Sequence, residues 1–514
     1  MAKYLFVLLF FMLISKTAQA VDASVTQLTI PQIHQKMQQG ALTSEQLVRF
    51  YLHRIDALNP KLNAVITVNP KALEDAVLAD KQLAENNEKF GLLHGIPVLI
   101  KDNIDTNDGM PNTAGSELLK DNLPKQNAFI VEQLKKAGAI ILGKTNLSEW
   151  ANFRSTRSIS GWSSLGGLTR NPYDLSRSTC GSSSGSGAAV AADLAQVAIG
   201  TETDGSITCP ASMTGVVGFK PSVGSVSRSG IIPISSNFDT AGPMARNVTD
   251  AVYLLQAMLG KDSNDSASYA HSALSEESLV EYLKEQGLKG KRIGIASNYR
   301  HEHPEVNALF NQAVNLMRKA GAEIITEAPI ETKNQWRLQQ YKILLWDFKD
   351  EIAEYLKNTK VKPDTLNDLV LENKEHMASV MQLFAQDIFE QANQSKGKAE
   401  ESYQQVLEEL LTLAKDKGID ATLEKHKLDM LIAPTTGPAW KLDIINGDHF
   451  SGAASSPAAI AGYPHITVPM GYVLHMPVGI SFFSKKNNEA ELIEAAYHFE
   501  QLTKVRVPPN IPQR

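Results

Sequence analysis

The sequence predicts an α/β protein. It has a sheet-centred core in two stretches, about residues 90–260 and 428–505, and a helical layer contributed mainly by residues 262–428. Three observations carry this. Short β-branched apolar runs bounded by Gly or Pro recur near residues 95–101, 140–145, 428–434, 466–471 and 478–482, the pattern of buried strands. A helical pattern at residues 129–137 separates the first two, as in layered α/β sheets. The middle of the chain turns to Glu, Lys, Gln and Leu with long helical spacing, as in Glu401–Leu411.

In chain order, Ser24 to about Asn86 reads as helical. Leu28, Ile30, Ile33 and Met37 precede a helix start at Thr43–Val48, with Leu47, Tyr51 and Ile55 on one face. Gly95–Ile100 is a buried strand that delivers Lys101-Asp102-Asn103. Ile140–Thr145 is a second strand leaving into a loop. Residues 154–187 are dense in Ser, Gly and Arg. A flexible linker has that composition, but this stretch runs straight into Gly187–Gly200, whose small apolar residues suit a tightly packed helix and then a strand. Lys291–Ala296 is one strand inside the helical stretch, and Glu489–Thr503 makes a terminal helix. There is no internal repeat.

Composition narrows the function. Fifty Lys+Arg against 56 Asp+Glu give a formal charge of −6, so no polybasic field exists to hold nucleic acid or anionic lipid. Thirty-three Gly and 23 Pro exclude collagen-like and largely disordered chains. Two cysteines cannot build a disulfide scaffold. Lys3, the apolar run Tyr4–Ile14 and Ala18-Gln19-Ala20 read as a secretory signal over residues 1–20; the apolar run is too short to span a bilayer. Its removal takes away Lys3 and Lys16 and moves the charge from −6 to −8. The expectation is an exported protein, periplasmic or secreted, with no membrane contact after cleavage.

His301 and His303 lie two apart, so on a helix they face different ways and read as solvated surface residues. The chemistry points instead to two serine loops, Ser178–Gly187 and Gly200–Ile207. Small residues let backbone N–H groups converge on one point, as an oxyanion site requires. Alone, such loops are commonly turns or helix caps. The order of pieces changes that. Gly95-Ile96-Pro97-x-x-x-Lys101-Asp102, Gly143-Lys144-Thr145-Asn146, Gly181-Ser182-Ser183-x-Gly185-Ser186 and Gly205-Ser206-Ile207-x-x-Pro210-Ala211 follow one another. Gly215-x-x-Gly218-Phe219-Lys220-Pro221, Asp239-x-x-Gly242-Pro243 and Pro464-x-Ile466-x-Val468-Pro469 come after. Together they resemble the amidase signature family over roughly residues 25–505.

That resemblance implies a mixed β-sheet covered by helices on both faces, and hydrolysis of a carboxamide to carboxylate and ammonia without metal or organic cofactor. Carried over residue by residue, Lys101 is the base. Ser182, held by a cis peptide bond, is the relay. Ser206, 24 residues further on, is the serine that becomes acylated. The backbone N–H groups of Thr203, Asp204, Gly205 and Ser206 are the oxyanion donors. A serine hydroxyl needs a base, and lysine serves only when neutral, so Lys101 must sit in a dry pocket.

Cys180, Ser184, Glu202, Asp204 and Thr208 depart from the family's commonest residues. Asp204 is expected to point away from the oxyanion site or to bond its own loop; the alternative is that it only tolerates a φ > 0 position usually filled by Gly. The departures look like the peptide-amidase subgroup, whose members remove the C-terminal amide of peptides. The expected substrate is therefore a short peptide amide or other small amide, with a general aliphatic or aryl amidase as the alternative. Less favoured are an amidotransferase-type subunit, which needs a partner and a tRNA surface, and an inactive binding scaffold. A monomer is compatible with the hydrolase readings. Cys180 and Cys209, flanking the two loops, are read as buried free thiols, with a disulfide between them as the open alternative in an exported protein.

Overall fold

In the computed structural model the described residues are 23–85, 91–270, 274 and 278–511; the secretory signal read at residues 1–20 lies outside them. The strands are β1 Val65–Val68, β2 Pro97–Lys101, β3 Ile140–Thr145, β4 Trp162–Ser163, β5 Gly167–Leu168, β6 Val197–Glu202, β7 Val217–Lys220, β8 Thr240–Ala245, β9 Arg292–Ile295, β10 Glu323–Ile325, β11 Met430–Pro434, β12 His465–Val473 and β13 Met476–Phe483. Eleven of them form one sheet in the order β1-β3-β2-β6-β8-β7-β12-β13-β11-β9-β10, and β4 and β5 pair separately. The sheet is mixed. β2 runs parallel to β3 and β6, β8 runs antiparallel to β6 and β7, and β12 and β13 form an antiparallel pair. Helices cover both faces, so the class and layering expected from the sequence are those of the molecule.

Every residue of β2, β3 and β6 is buried. Strands covered on both faces read as continuous apolar runs rather than alternations, which is why they were legible. β8 was not, because its sequence, Thr-Ala-Gly-Pro-Met-Ala, hides the pattern. A Cβ on Gly242 would stand 2.0 Å from the Phe219 carbonyl oxygen, so the approach of β7 dictates glycine there.

Two expectations are corrected. The stretch read as helical from Ser24 to Asn86 contains β1: the helix Ser44–Leu62 ends at Asn63, in the left-handed region at φ 48, and Val65-Ile66-Thr67-Val68 pairs with β3. β-branched residues favour the pleat and override the helical spacing on either side. β10, a short edge strand beside β9, lies in the Glu/Lys-rich region and gave no apolar run. Among the described residues no helix is long and apolar enough to cross a membrane.

Candidate active site

Lys101 ends β2 with its side chain fully buried, at 0% exposure. Its Nζ lies 2.8 Å from Ser182 Oγ and 2.7 Å from Thr201 Oγ1, and donates to the Thr201 carbonyl at 3.2 Å. Asn103 Nδ2 donates to the same Thr201 hydroxyl at 3.1 Å. Removal from water lowers the lysine's pKa to about 7, a shift that the carboxylates of Asp239 and Glu202 oppose. Near neutrality the amine therefore reaches its uncharged form, with a serine hydroxyl in contact.

Ser182 follows a cis peptide bond from Gly181 and is buried just ahead of the helix Ser184–Ala191. Ser206 lies in the adjoining loop, 9% exposed at the wall of a cavity of about 830 Å³. The two loops are stitched together: the Ser183 N–H donates to the Ser206 carbonyl at 3.1 Å, and Ser183 Oγ donates to the Thr201 carbonyl at 3.0 Å. Among the described residues, the N–H groups of Thr203, Asp204 and Ser206 have no backbone or side-chain acceptor. Gly205 turns the loop at φ 83. Behind the loop, the Glu202 carboxylate accepts from the Ile207 and Thr208 N–H groups at 2.7 and 2.9 Å.

Other features of the site were not read from the sequence. The Asp239 carboxylate accepts from Thr203 Oγ1 at 2.5 Å and from the N–H groups of Ile234 and Ser235 at 2.7 and 2.9 Å. Burial pushes its pKa up to about 6. Its place in the Asp-x-x-Gly-Pro motif was the available signal. Trp150, Ala151 and Asn152 occupy the left-handed region at φ 51, 53 and 69, costly for residues with side chains, and Ala151 and Asn152 line the cavity. The Arg154–Glu149 ion pair is buried beside them, and Arg154 also donates to the carbonyls of Val380 and Phe384 at 2.6 and 3.3 Å.

Three sequence readings need correction or completion, and one further motif needs placing. Cys180 and Cys209 are not free thiols but a disulfide, their Cα atoms 6.0 Å apart. Close packing of small residues brings them together, since a Cβ on Gly187 would stand 2.8 Å from Thr214 Oγ1. Asp204 does not take φ > 0, nor does its carboxylate bond its own loop: it accepts from Ser455 Oγ at 2.6 Å and from Gln340 Nε2 at 2.9 Å. Gly138–Thr145 spells the phosphate-loop pattern G-x-x-x-x-G-K-T. Its Ile140–Thr145 portion is β3, however, and Lys144 Nζ lies on the Ile104 carbonyl and near Asp102, so no loop is there to cradle a phosphate. Finally, His303 Nδ1 accepts the Glu305 N–H at 3.3 Å and caps the helix Pro304–Lys319.

The profile of the Amidase family matches residues 46–493. The chain belongs to the amidase family. The native peptide amidase of Stenotrophomonas maltophilia overlays it with a TM-score of 0.90 at 44% identity, covering 94% of this chain and 99% of that one. An Arabidopsis thaliana protein named as a probable amidase is 39% identical over 95% of this chain and 92% of its own length. A glutamyl-tRNA(Gln) amidotransferase chain of Thermoanaerobacter pseudethanolicus is 33% identical over 94% of this chain and 98% of its own. This chain is thus an amide-hydrolysing enzyme with an amidase-signature fold, close in structure to peptide amidase.

The amidase cavity has two kinds of wall. Cys180, Gly181 and Thr203–Ser206 form one. Facing residues come from the helix Arg337–Leu356 (Leu338, Gln340, Tyr341 and Leu344) and from the segment around Trp440, Asp448 and Phe450.

Proposed function

We propose that this enzyme is exported and hydrolyses the C-terminal amide of short peptides through an acyl-enzyme on Ser206. The observation that carries the chemistry is the contact between the dry, low-pKa Lys101 and Ser182, in a loop bound directly to that of Ser206. Neutral Lys101 accepts the Ser182 proton as Ser182 accepts that of Ser206, and Ser206 Oγ attacks the amide carbon. The acceptor-free N–H groups of Thr203, Asp204 and Ser206 stabilise the negative charge that builds on the former carbonyl oxygen, whereas the Gly205 N–H, expected from the sequence to join them, is turned to the Glu202 carboxylate. When the tetrahedral intermediate collapses, the proton returns through Ser182 to the leaving nitrogen and ammonia departs. Water then releases the acid by the same route.

Peptide amides are favoured by the 44% identity to peptide amidase and by a cavity within the usual range for bound small ligands, roughly 300–1,000 Å³. No tRNA-dependent partner is invoked, since the chain's net charge is negative. Export is supported by the N-terminal apolar run and by the disulfide, a bond that persists in oxidising compartments. Labelling with a fluorophosphonate tests the acyl-enzyme. One adduct per chain on a peptide containing Ser206 is expected; an adduct that survives Ser206→Ala would contradict it. N-terminal sequencing of exported protein should begin at Val21.

A further inference from the structure

Asp204 is the one carboxylate within Thr203–Ser206, the stretch that holds the oxyanion donors. Negative charge close to a developing oxyanion opposes it unless the group is turned aside and hydrogen-bonded. Two donors from outside the loop do both: Ser455 Oγ to Oδ1 at 2.6 Å, and Gln340 Nε2 to Oδ2 at 2.9 Å. Ser455 directly precedes the helix Ser456–Ala461 and also backs the loop, since a Cβ on Gly205 would stand 3.0 Å from its Oγ. Gln340 sits on the helix Arg337–Leu356, one turn from Leu344 and beside Tyr341, all of which line the cavity. The Asp204 N–H has no acceptor among the described residues, whereas its carboxylate is anchored twice. One anchor of that side chain, Gln340, belongs to the helix that lines the other side of the cavity.

Resting on the acyl-enzyme reaction proposed above, we infer that Gln340 is a positioning residue of that reaction. Through the Asp204 carboxylate it aims the Asp204 N–H at the oxyanion, and so couples the helix that faces the peptide to the donors that stabilise the transition state. A donor that improves only transition-state binding shows in kcat, whereas a plain substrate contact shows in KM. This separates the positioning role from the simpler one in which Gln340 touches the peptide.

The experiment compares wild type, Gln340→Leu, Ser455→Ala and the double variant on an amidated dipeptide, with fluorophosphonate adducts counted for each. A wild type that takes no adduct overturns the underlying reaction and the inference with it; an adduct on wild type separates the two. In Gln340→Leu the expected result is a full adduct count, kcat lowered about tenfold and KM changed less than about twofold. Ser455→Ala should do the same, and the double variant should lose less than the product of the two, because both act through one carboxylate. If Gln340→Leu loses its adduct through misfolding, Ser455→Ala carries the same expectation. A raised KM with kcat retained, or wild-type constants in both single variants, would overturn the inference.

Discussion

On one side of the amidase cavity, Lys101 is 0% and Ser206 9% exposed, with the loops tied by the Ser183–Ser206 hydrogen bond and the Cys180–Cys209 disulfide. Across it, Leu338 and Phe450 are 64% and 51% exposed, and the side chains come from a helix of the middle stretch and a connecting segment. The first wall excludes water, which lowers the lysine's pKa and strengthens each dipole aimed at the reacting oxygen. The second stays open to solvent, where apolar side chains gain by covering a ligand. On the proposed reaction, chemistry and selectivity therefore rest on opposite degrees of burial, and changes on the two walls should differ in kind as well as size.

The largest effects belong to the buried wall. Lys101→Ala and Ser182→Ala should each lower kcat by roughly three to six orders of magnitude, and the double variant should lose little more, since the groups act as one unit; losses that multiply would break the comparison. Arg154 ties Glu149 to the segment around Val380 and Phe384. Arg154→Met strands the Glu149 carboxylate and frees the Val380 and Phe384 carbonyls, so calorimetry should show a loss of about 3–5 kcal/mol, as for broken buried ion pairs. Removing the disulfide by Cys180→Ser with Cys209→Ser, a separation of 29 residues, should lower stability by about 3–4 kcal/mol if loop entropy dominates. The exposed wall should give the smallest change. Leu338→Ala or Phe450→Ala should reduce the preference for an amidated tripeptide over acetamide by about three- to tenfold, the worth of one apolar contact. An equal loss on both substrates would mean that these side chains support the fold instead.

Acid should act on the buried wall first. Lys101 is held at about 7 by burial, and its neutral form is the proposed base. kcat/KM should therefore rise with pH through an apparent value near 7 and stay high above it. Asp239, at about 6, protonates as pH falls and weakens its hold on Thr203, which steepens the loss on the acid side. A flat profile from pH 5 to 9 would contradict Lys101 as base.

The contrast also explains what could be read in advance. β2, β3 and the terminal helix Glu489–Thr503 appear in the sequence because burial writes itself as apolar runs or helical spacing. Lys101, Ser182 and Ser206 were legible through the order of their Gly-rich motifs, whose small residues the close approach of backbones requires. Gln340 and Ser455 were not. Each stands 136 or 251 residues from Asp204, in segments whose composition suits any solvated helix or loop, and only the folded chain brings them to one carboxylate. The disulfide was missed for the same reason, because nothing in the sequence states how closely the helices Ser184–Ala191 and Thr208–Thr214 pack. β1 was lost because a four-residue strand between two helices leaves too short a pattern.

The central claim is that a buried serine-lysine wall cleaves the terminal amide of a peptide received by the exposed wall. Incubating the protein, without residues 1–20, with an amidated tripeptide tests it most directly, with ammonia and the peptide's mass followed together. The account predicts ammonia in equal amount to intact peptide acid, no reaction of the same peptide bearing a free carboxylate, and no ammonia from Ser206→Ala. Internal fragments as the main product, or ammonia release that survives Ser206→Ala, would contradict it.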